Sequence, residues 1–321
     1  MTTIPTATSS RVGTLALTGL APLVWGTTYA VTSEFLPPER PMFTALMRAL
    51  PVGLLLIAAT RRLPHGRWIW RAGLLGVLNI GIWFALLFLA AYRLPGGVAA
   101  VLGAATPMFA LGFAAMLVRE RPTGRKVIAA IIGISGVALV VLRADATLDL
   151  IGVVAGLLGA ASQAAGAVLT GKWGRPEGVG PVAFTGWQLT AGGLMLLPLA
   201  LLIEGAPPAM DVSAVGGYLY LGLIGTAAAY VLWFRGLSRM PATSVAFLGL
   251  LSPLGAAVIG WAWLGQALSP LQILGIVIAL AGTLLAQTGV AHKSAVDLKE
   301  PAVRNVSVTQ PAPSASVDQV A

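Results

Sequence analysis

Ten apolar runs of roughly 20 residues, parted by short polar connections, account for most of this chain. They lie near Val12–Thr32, Met42–Thr60, Ala72–Tyr92, Val98–Val118, Val127–Leu142, Leu150–Thr170, Val182–Ile203, Val215–Phe234, Thr243–Leu264 and Leu271–Gln287. A helix of that length crosses a hydrocarbon core of about 30 Å. The runs are continuous rather than alternating, which favours helices over a β-barrel. The pattern predicts an all-α integral membrane protein with ten transmembrane helices.

The runs are also a duplication. LPGGVAAVLGAATPMFALGFAAMLVRERPTGRK, from Leu94 to Lys126, returns as MPATSVAFLGLLSPLGAAVIGWAWLGQALSP, from Met240 to Pro270. A shift of 146 carries Arg93, Pro95, Gly103, Thr106, Pro107 and Gly136 onto Arg239, Pro241, Gly249, Ser252, Pro253 and Gly282 without a gap. Nearer the start of each repeat, Gly53 matches Gly193 at a shift of 140, which pairs Arg48 with Gln188. The connection Ala206–Asp211 then carries the extra 146 − 140 = 6 residues. The two first helices, Val12–Thr32 and Leu150–Thr170, give no alignment. The organisation expected is a cytoplasmic N-terminus (1–11), a first five-helix repeat (12–142), a second (150–287) and a disordered cytoplasmic tail (288–321). Five is odd, so tandem units enter the membrane in opposite directions, as inverted repeats built for alternating access.

Charge sets the orientation. Basic residues gather in alternate connections: Arg61, Arg62, Arg67 and Arg71; Arg119, Arg121, Arg125 and Lys126; Lys172 and Arg175; Arg235 and Arg239. The opposite connections hold Arg40, Arg93 and Arg143 with Glu34, Glu39, Asp145, Asp149, Glu204 and Asp211. By the positive-inside rule both termini are cytoplasmic. The net charge of +9 is therefore a topology signal with some attraction to anionic lipid, and no nucleic-acid partner is expected.

Composition agrees about the medium. Charged residues are 10% of the chain, against about 25% in a soluble domain, and mean hydropathy is +0.87. The absence of cysteine excludes disulfides, thiolate metal sites and cysteine nucleophiles.

The polar residues inside the runs carry the candidate chemistry. Arg48 is the one charge well within a helix, and two readings stand side by side. It ties off carbonyls near a helix break, Pro51 freeing a backbone acceptor three residues on; or it lines a cavity and meets an anionic or carbonyl group of a substrate. A second set is aromatic and amide. Trp25, Thr28 and Tyr29 share one helix face, and so do Asn79 and Trp83. Ser162 and Gln163, Trp187 and Gln188, and Tyr230 and Trp233 lie on later helices. Such residues suit a site for planar organic molecules, against the alternative of interfacial aromatics; Trp68 and Trp70 are assigned to the interface. Pro107 and Pro253 each remove a backbone hydrogen bond and are candidates for a bend or gate in each fourth helix.

No Asp or Glu lies deep in a run, both histidines (His65 and His292) sit outside the runs, and no HExxH or phosphate loop occurs. An intramembrane enzyme, a cofactor and a metal are therefore not expected. A proton-coupled mechanism would rest on Glu34, Glu120 or the substrate itself.

The two repeats, with a proline in each fourth helix and with LVRERPTGRKVIAAIIGISGVALVVL and LGQALSPLQILGIVIALAGTLLAQ, resemble the drug/metabolite transporter superfamily, EamA type. WGTTYAVTSEFLPPERP (Trp25–Pro41) and AAYRLPGGVAAVLGAATP (Ala90–Pro107) are similar to its PecM-like branch, associated with pigment and metabolite export. The resemblance implies a secondary transporter of the inner or plasma membrane. It would export small organic metabolites or drugs by alternating access, through a central cavity between the repeats. Partners would be a small-molecule substrate and membrane lipid, with a homodimer as a candidate assembly. An amino-acid exporter in which Arg48 holds the carboxylate, and a non-transporting scaffold, are the alternatives. One departure stands out. The family usually has an acidic residue after each fourth helix; Glu120 fits, but its equivalent is Gln266, which puts any role for paired carboxylates in doubt.

Overall fold

A computed structural model describes residues 7–94, 99, 102–141, 149–262 and 269–297. Among them every regular element is helical. In chain order they are α1, in two pieces (Ala7–Trp25 and Thr28–Phe35); α2 (Pro41–Thr60); α3 (Trp68–Arg93); α4 (Gly103–Val118); α5 (Gly124–Val141); α6 (Leu150–Trp173); α7 (Pro181–Glu204); α8 (Val212–Leu237); α9, in two pieces (Ala242–Leu248 and Leu251–Ala262); and α10 (Pro270–Asp297). Six segments are long and apolar enough to cross a membrane, namely Val12–Phe35 of α1 and the whole of α2, α3, α6, α7 and α8. Shorter apolar stretches occupy Gly103–Val118, Ala242–Ala256 and Ile273–Ala286.

Local chemistry starts these helices where the sequence changes character. Pro41 and Pro181 open α2 and α7, at the turn where a missing N–H costs nothing. Asp149 and Asp211 cap α6 and α8 by accepting from the N–H of Gly152 at 2.9 Å and of Ala214 at 2.7 Å. The cap of α2 comes from the other half of the chain. The Glu204 carboxylate accepts from the N–H groups of Met42 at 2.6 Å and Phe43 at 2.8 Å, and Arg40 donates to the Glu204 carbonyl. A carboxylate just past the end of one apolar run is thus spent on the start of another helix.

Two departures from the expected spans have local causes. The first helix breaks at Gly26–Thr27, where a Cβ on Gly26 would fall 2.6 Å from the Ala256 nitrogen. The last helix runs past Gln287 to Asp297, so the polar tail begins helically. The expected tail beyond residue 297, the N-terminal residues 1–6, and Pro95, Arg143, Asp145 and Gln266 lie outside the described residues.

The packing repeats itself with the halves exchanged. Helix α2 packs along α7, and α5 along α10. Gly53 meets Thr190, where a Cβ would come within 2.4 Å of the backbone nitrogen; Gly193 meets Leu50, within 2.7 Å of its Cα. The shift of 140 turns one contact into the other. At α5 and α10, a Cβ on Gly136 would fall 2.4 Å from Ala279 N and one on Gly282 2.7 Å from Gly133 N, again one contact and its image, now at 146. Only glycine permits so close an approach of backbones. The remaining pairings exchange too: α3 with α6 answers α8 with α1, and α4 with α6 answers α9 with α1. Even an irregularity is duplicated. Helix α3 carries a π-turn at Val77–Ile82 and α8 one at Leu223–Ala228, 146 residues on.

Candidate functional site

Between these pairs lies a narrow cavity of about 50 Å³. Its wall is Trp25, Thr28 and Tyr29 of α1, Arg48 of α2, Trp83 and Leu87 of α3, Gly103 and Thr106 of α4, Gln163 of α6, Tyr230 and Trp233 of α8, and Ala246, Gly249 and Ser252 of α9. Both halves contribute. The two self-paired seams, α2 against α7 and α5 against α10, hold the cavity from outside, and of their helices only α2 reaches it, through Arg48.

Arg48 is 2% exposed and held on three sides. Its Nε donates to Thr226 Oγ1 at 2.7 Å, one terminal nitrogen to the Gly225 carbonyl at 2.9 Å, and the other to Thr28 Oγ1 at 3.4 Å. Phe84 and Phe88 lie under the guanidinium, with ring centroids 4.8 and 5.9 Å from Cζ. Gly225 belongs to the π-turn of α8, and a π-turn leaves a carbonyl without its usual helical donor. The same carbonyl accepts from Trp25 Nε1 at 2.9 Å. Arg48 thus satisfies a helix irregularity and also borders the cavity. The irregularity is in α8 rather than beside Pro51.

The aromatic wall is continuous. Trp25 packs on Tyr230 and Trp233 with centroids 4.9 and 5.0 Å away, and Phe84 backs Tyr230 at 5.8 Å. Of the candidate site residues, Trp25, Thr28, Tyr29, Arg48, Trp83, Gln163, Tyr230 and Trp233 come together here. Asn79, Trp187 and Gln188 do not line the cavity. Asn79 Nδ2 donates to Gln188 Oε1 at 2.8 Å and to Thr170 Oγ1 at 3.1 Å, tying α3, α7 and α6 in a buried polar knot. Trp187 Nε1 donates to the Arg62 carbonyl at 2.7 Å, fastening the connection after α2. Ser162, the neighbour of Gln163, donates to the Leu78 carbonyl at 2.8 Å in the π-turn of α3.

Sequence reasoning passed over Thr106, Ser252, Gly103 and Gly249 as site residues. The signal was present: they are two of the gap-free pairs at 146, one immediately before and one four residues before a mid-helix proline. Proline lacks an N–H, so Pro107 and Pro253 leave the carbonyls of Gly103 and Gly249 without their helical donors. Thr106 Oγ1 takes the first at 2.6 Å and Ser252 N the second at 3.0 Å. Helix α4 tightens there to a 3₁₀ turn at Gly103–Ala105, and α9 divides at Gly249–Leu250. The segments after the break in α4 and before the break in α9 pack together through Ala110, Ala114 and Ala246. Beyond them Lys126 bridges Glu120 at 2.7 Å and Thr243 Oγ1 at 3.0 Å. The 3₁₀ turn of α4 lies on α6, and the segment of α9 after its break, Leu251–Ala262, lies on α1.

Comparison with known proteins matches this arrangement. The model of the EamA-like transporter family fits the chain twice, at residues 13–142 and 150–288. Protein PecM of Dickeya dadantii is 43% identical over 267 residues, covering 83% of this chain and 90% of PecM. The uncharacterized inner membrane transporter YedA of Escherichia coli K12 is 27% identical over 296 residues, 89% of this chain and 94% of that protein. A crystal structure that is 19% identical in sequence superposes with a TM-score of 0.70 over 86% of this chain and 98% of its own, which shows a shared fold.

Proposed function

This chain belongs to the EamA-like transporter family, in the branch that contains PecM, and from that premise we propose a secondary transporter of the cell membrane. It exports small organic metabolites or drugs by alternating access through the cavity between its halves. The observation that carries this reading is the cavity wall, drawn from both halves and combining aromatic faces with one buried cation. The proposed topology is ten spans in two inverted five-helix repeats with both termini cytoplasmic; the basic asymmetry of the connections and the exchanged packing support it. In the arrangement described, the α4 and α9 segments nearest Glu120 and Thr243 are in contact, whereas Leu251–Ala262 of α9 lies on α1. On the proposed topology that contact closes the cytoplasmic side. Lys126 then latches the cytoplasmic side, and Pro107 and Pro253 sit at the level where the two fourth helices change partners.

The natural absence of cysteine makes the topology directly testable, because single cysteines can be added to the unmodified protein. Cysteines at Arg67 and Arg121 should label only from the cytoplasmic side, and one at Ser213 only from outside. Labelling of all three from one side would overturn the inverted arrangement. Transport itself is tested by comparing the small molecules retained by cells with and without the protein, then following the enriched compounds in proteoliposomes. Liposomes that move none of them would remove the transporter reading.

A further inference from the structure

Among the described residues Arg48 is a buried cation with no counter-charge: no carboxylate of theirs lines the cavity, and neither of their two ion pairs, Arg93–Asp149 and Lys126–Glu120, includes it. Its neighbours are two hydroxyls, one carbonyl and the faces of Phe84 and Phe88. Dipoles and ring quadrupoles offset only part of the cost of a desolvated charge. A guanidinium has five N–H donors, and three hydrogen bonds hold this one. Two donors remain, on a side chain that belongs to the cavity wall. The rest of that wall includes the flat surfaces of three tryptophans, Trp25, Trp83 and Trp233, with hydroxyls at Thr106 and Ser252 and an amide at Gln163.

We propose that the cavity takes planar aromatic monoanions, the anionic group completing Arg48 and the ring lying among Trp25, Trp83 and Trp233. This rests on the transporter reading and narrows it. A free amino acid fits less well, because its ammonium would be buried with no carboxylate to receive it. Lipophilic cations are excluded for the same reason, since they would share a closed space with a guanidinium. The site therefore sorts aromatic compounds by charge.

The test is binding to the purified full chain in detergent, by calorimetry, with four probes of one ring system: indole-3-carboxylate, its neutral carboxamide, tryptophan and tryptamine. A charge-assisted hydrogen bond to a buried group makes the carboxylate about tenfold tighter than the carboxamide. Tryptophan should be weaker than the carboxylate, and tryptamine should give no saturable binding. Arg48→Gln should erase the preference for carboxylate over carboxamide while the carboxamide keeps its affinity. An arginine that only held α8 in place would weaken both together, and that result would sink the proposal. Should Arg48→Gln not fold, Gln163→Glu serves: a carboxylate added to the wall should admit tryptamine. Equal binding of carboxylate and carboxamide by the natural protein, tightest binding of tryptamine, or no binding of any probe would each overturn the inference. None of these results touches the transporter reading, which stands or falls on flux in proteoliposomes.

Discussion

Arg48 and Gln188 hold equivalent places in the two halves, and the helix that faces each differs at the contact. Position 79, which faces Gln188, is asparagine; position 225, its counterpart at 146, is glycine. In one half two amides meet side chain to side chain, Asn79 Nδ2 to Gln188 Oε1 at 2.8 Å. In the other, the longer arginine reaches a bare backbone carbonyl at 2.9 Å. The π-turn supplies that carbonyl in α8, as its image in α3 supplies the Leu78 carbonyl to Ser162. The amide pair joins Asn79 Nδ2 to Gln188 Oε1, leaves Gln188 Nε2 buried without a partner, and is packed away from the cavity. The arginine keeps spare donors and borders the cavity. One scaffold slot, filled twice, has become a strut on one side and a recognition group on the other.

The largest effects should come from breaking what the halves share. Gly136→Leu and Gly282→Leu each drive a side chain into the opposing backbone, at contacts that are images of each other. Both should abolish recovery of monodisperse protein after detergent extraction. Tolerance of one with loss of the other would break the equivalence. Arg48→Lys comes next, because an ammonium cannot span Thr226, Gly225 and the cavity as a planar fork does. Transport per folded molecule should fall about tenfold or more, the scale of losing a hydrogen bond to a charged group, in assays normalised to the folded fraction.

Asn79→Ala probes the other member of the comparison. It leaves Gln188 Oε1 buried without its donor, at a cost of about 1–3 kcal/mol, read as a lower thermal midpoint. Flux per folded molecule should hold, since Asn79 does not reach the cavity. The smallest effect belongs to the asymmetric salt bridge. Arg93 pairs with Asp149 at 3.0 Å, whereas its counterpart Arg239 has no carboxylate partner among the described residues. The N-cap bond from Gly152, with Arg93 beside it, holds the Asp149 carboxyl below its ordinary range. Its contribution is therefore present above the unfolded value of about 3.9 and is lost as pH falls through the depressed one. Thermal midpoints should drop slightly below about pH 4, and Asp149→Asn should flatten that drop.

Much of this was legible in the sequence because membranes make patterns coarse. Apolar runs, alternating basic connections and a fixed shift need no knowledge of side-chain contacts. The cavity was half legible. Trp25, Tyr29, Arg48 and Gln163 stand out as polar or aromatic in apolar runs, but so do Asn79, Trp187 and Gln188, which face other helices. Which face of a helix is inward depends on local winding, and the π-turns at Val77–Ile82 and Leu223–Ala228 rotate that face in a way no 3.6-residue period anticipates. Thr106 and Ser252 were missed because a hydroxyl beside a proline reads as a backbone device, which it also is.

The contacts of Gly53 with Thr190 and of Gly193 with Leu50 have the form found in a two-fold homodimer, where residue i meets j and j meets i. A single half would present the same self-matching seam to a second copy of itself. In such an ancestor every substitution occurs twice, and an arginine at position 48 would bring a second buried cation into the same interior. Joining the copies into one gene lifted that constraint. Once the halves could mutate separately, one could keep a lone charge at the centre while the other answered with glutamine.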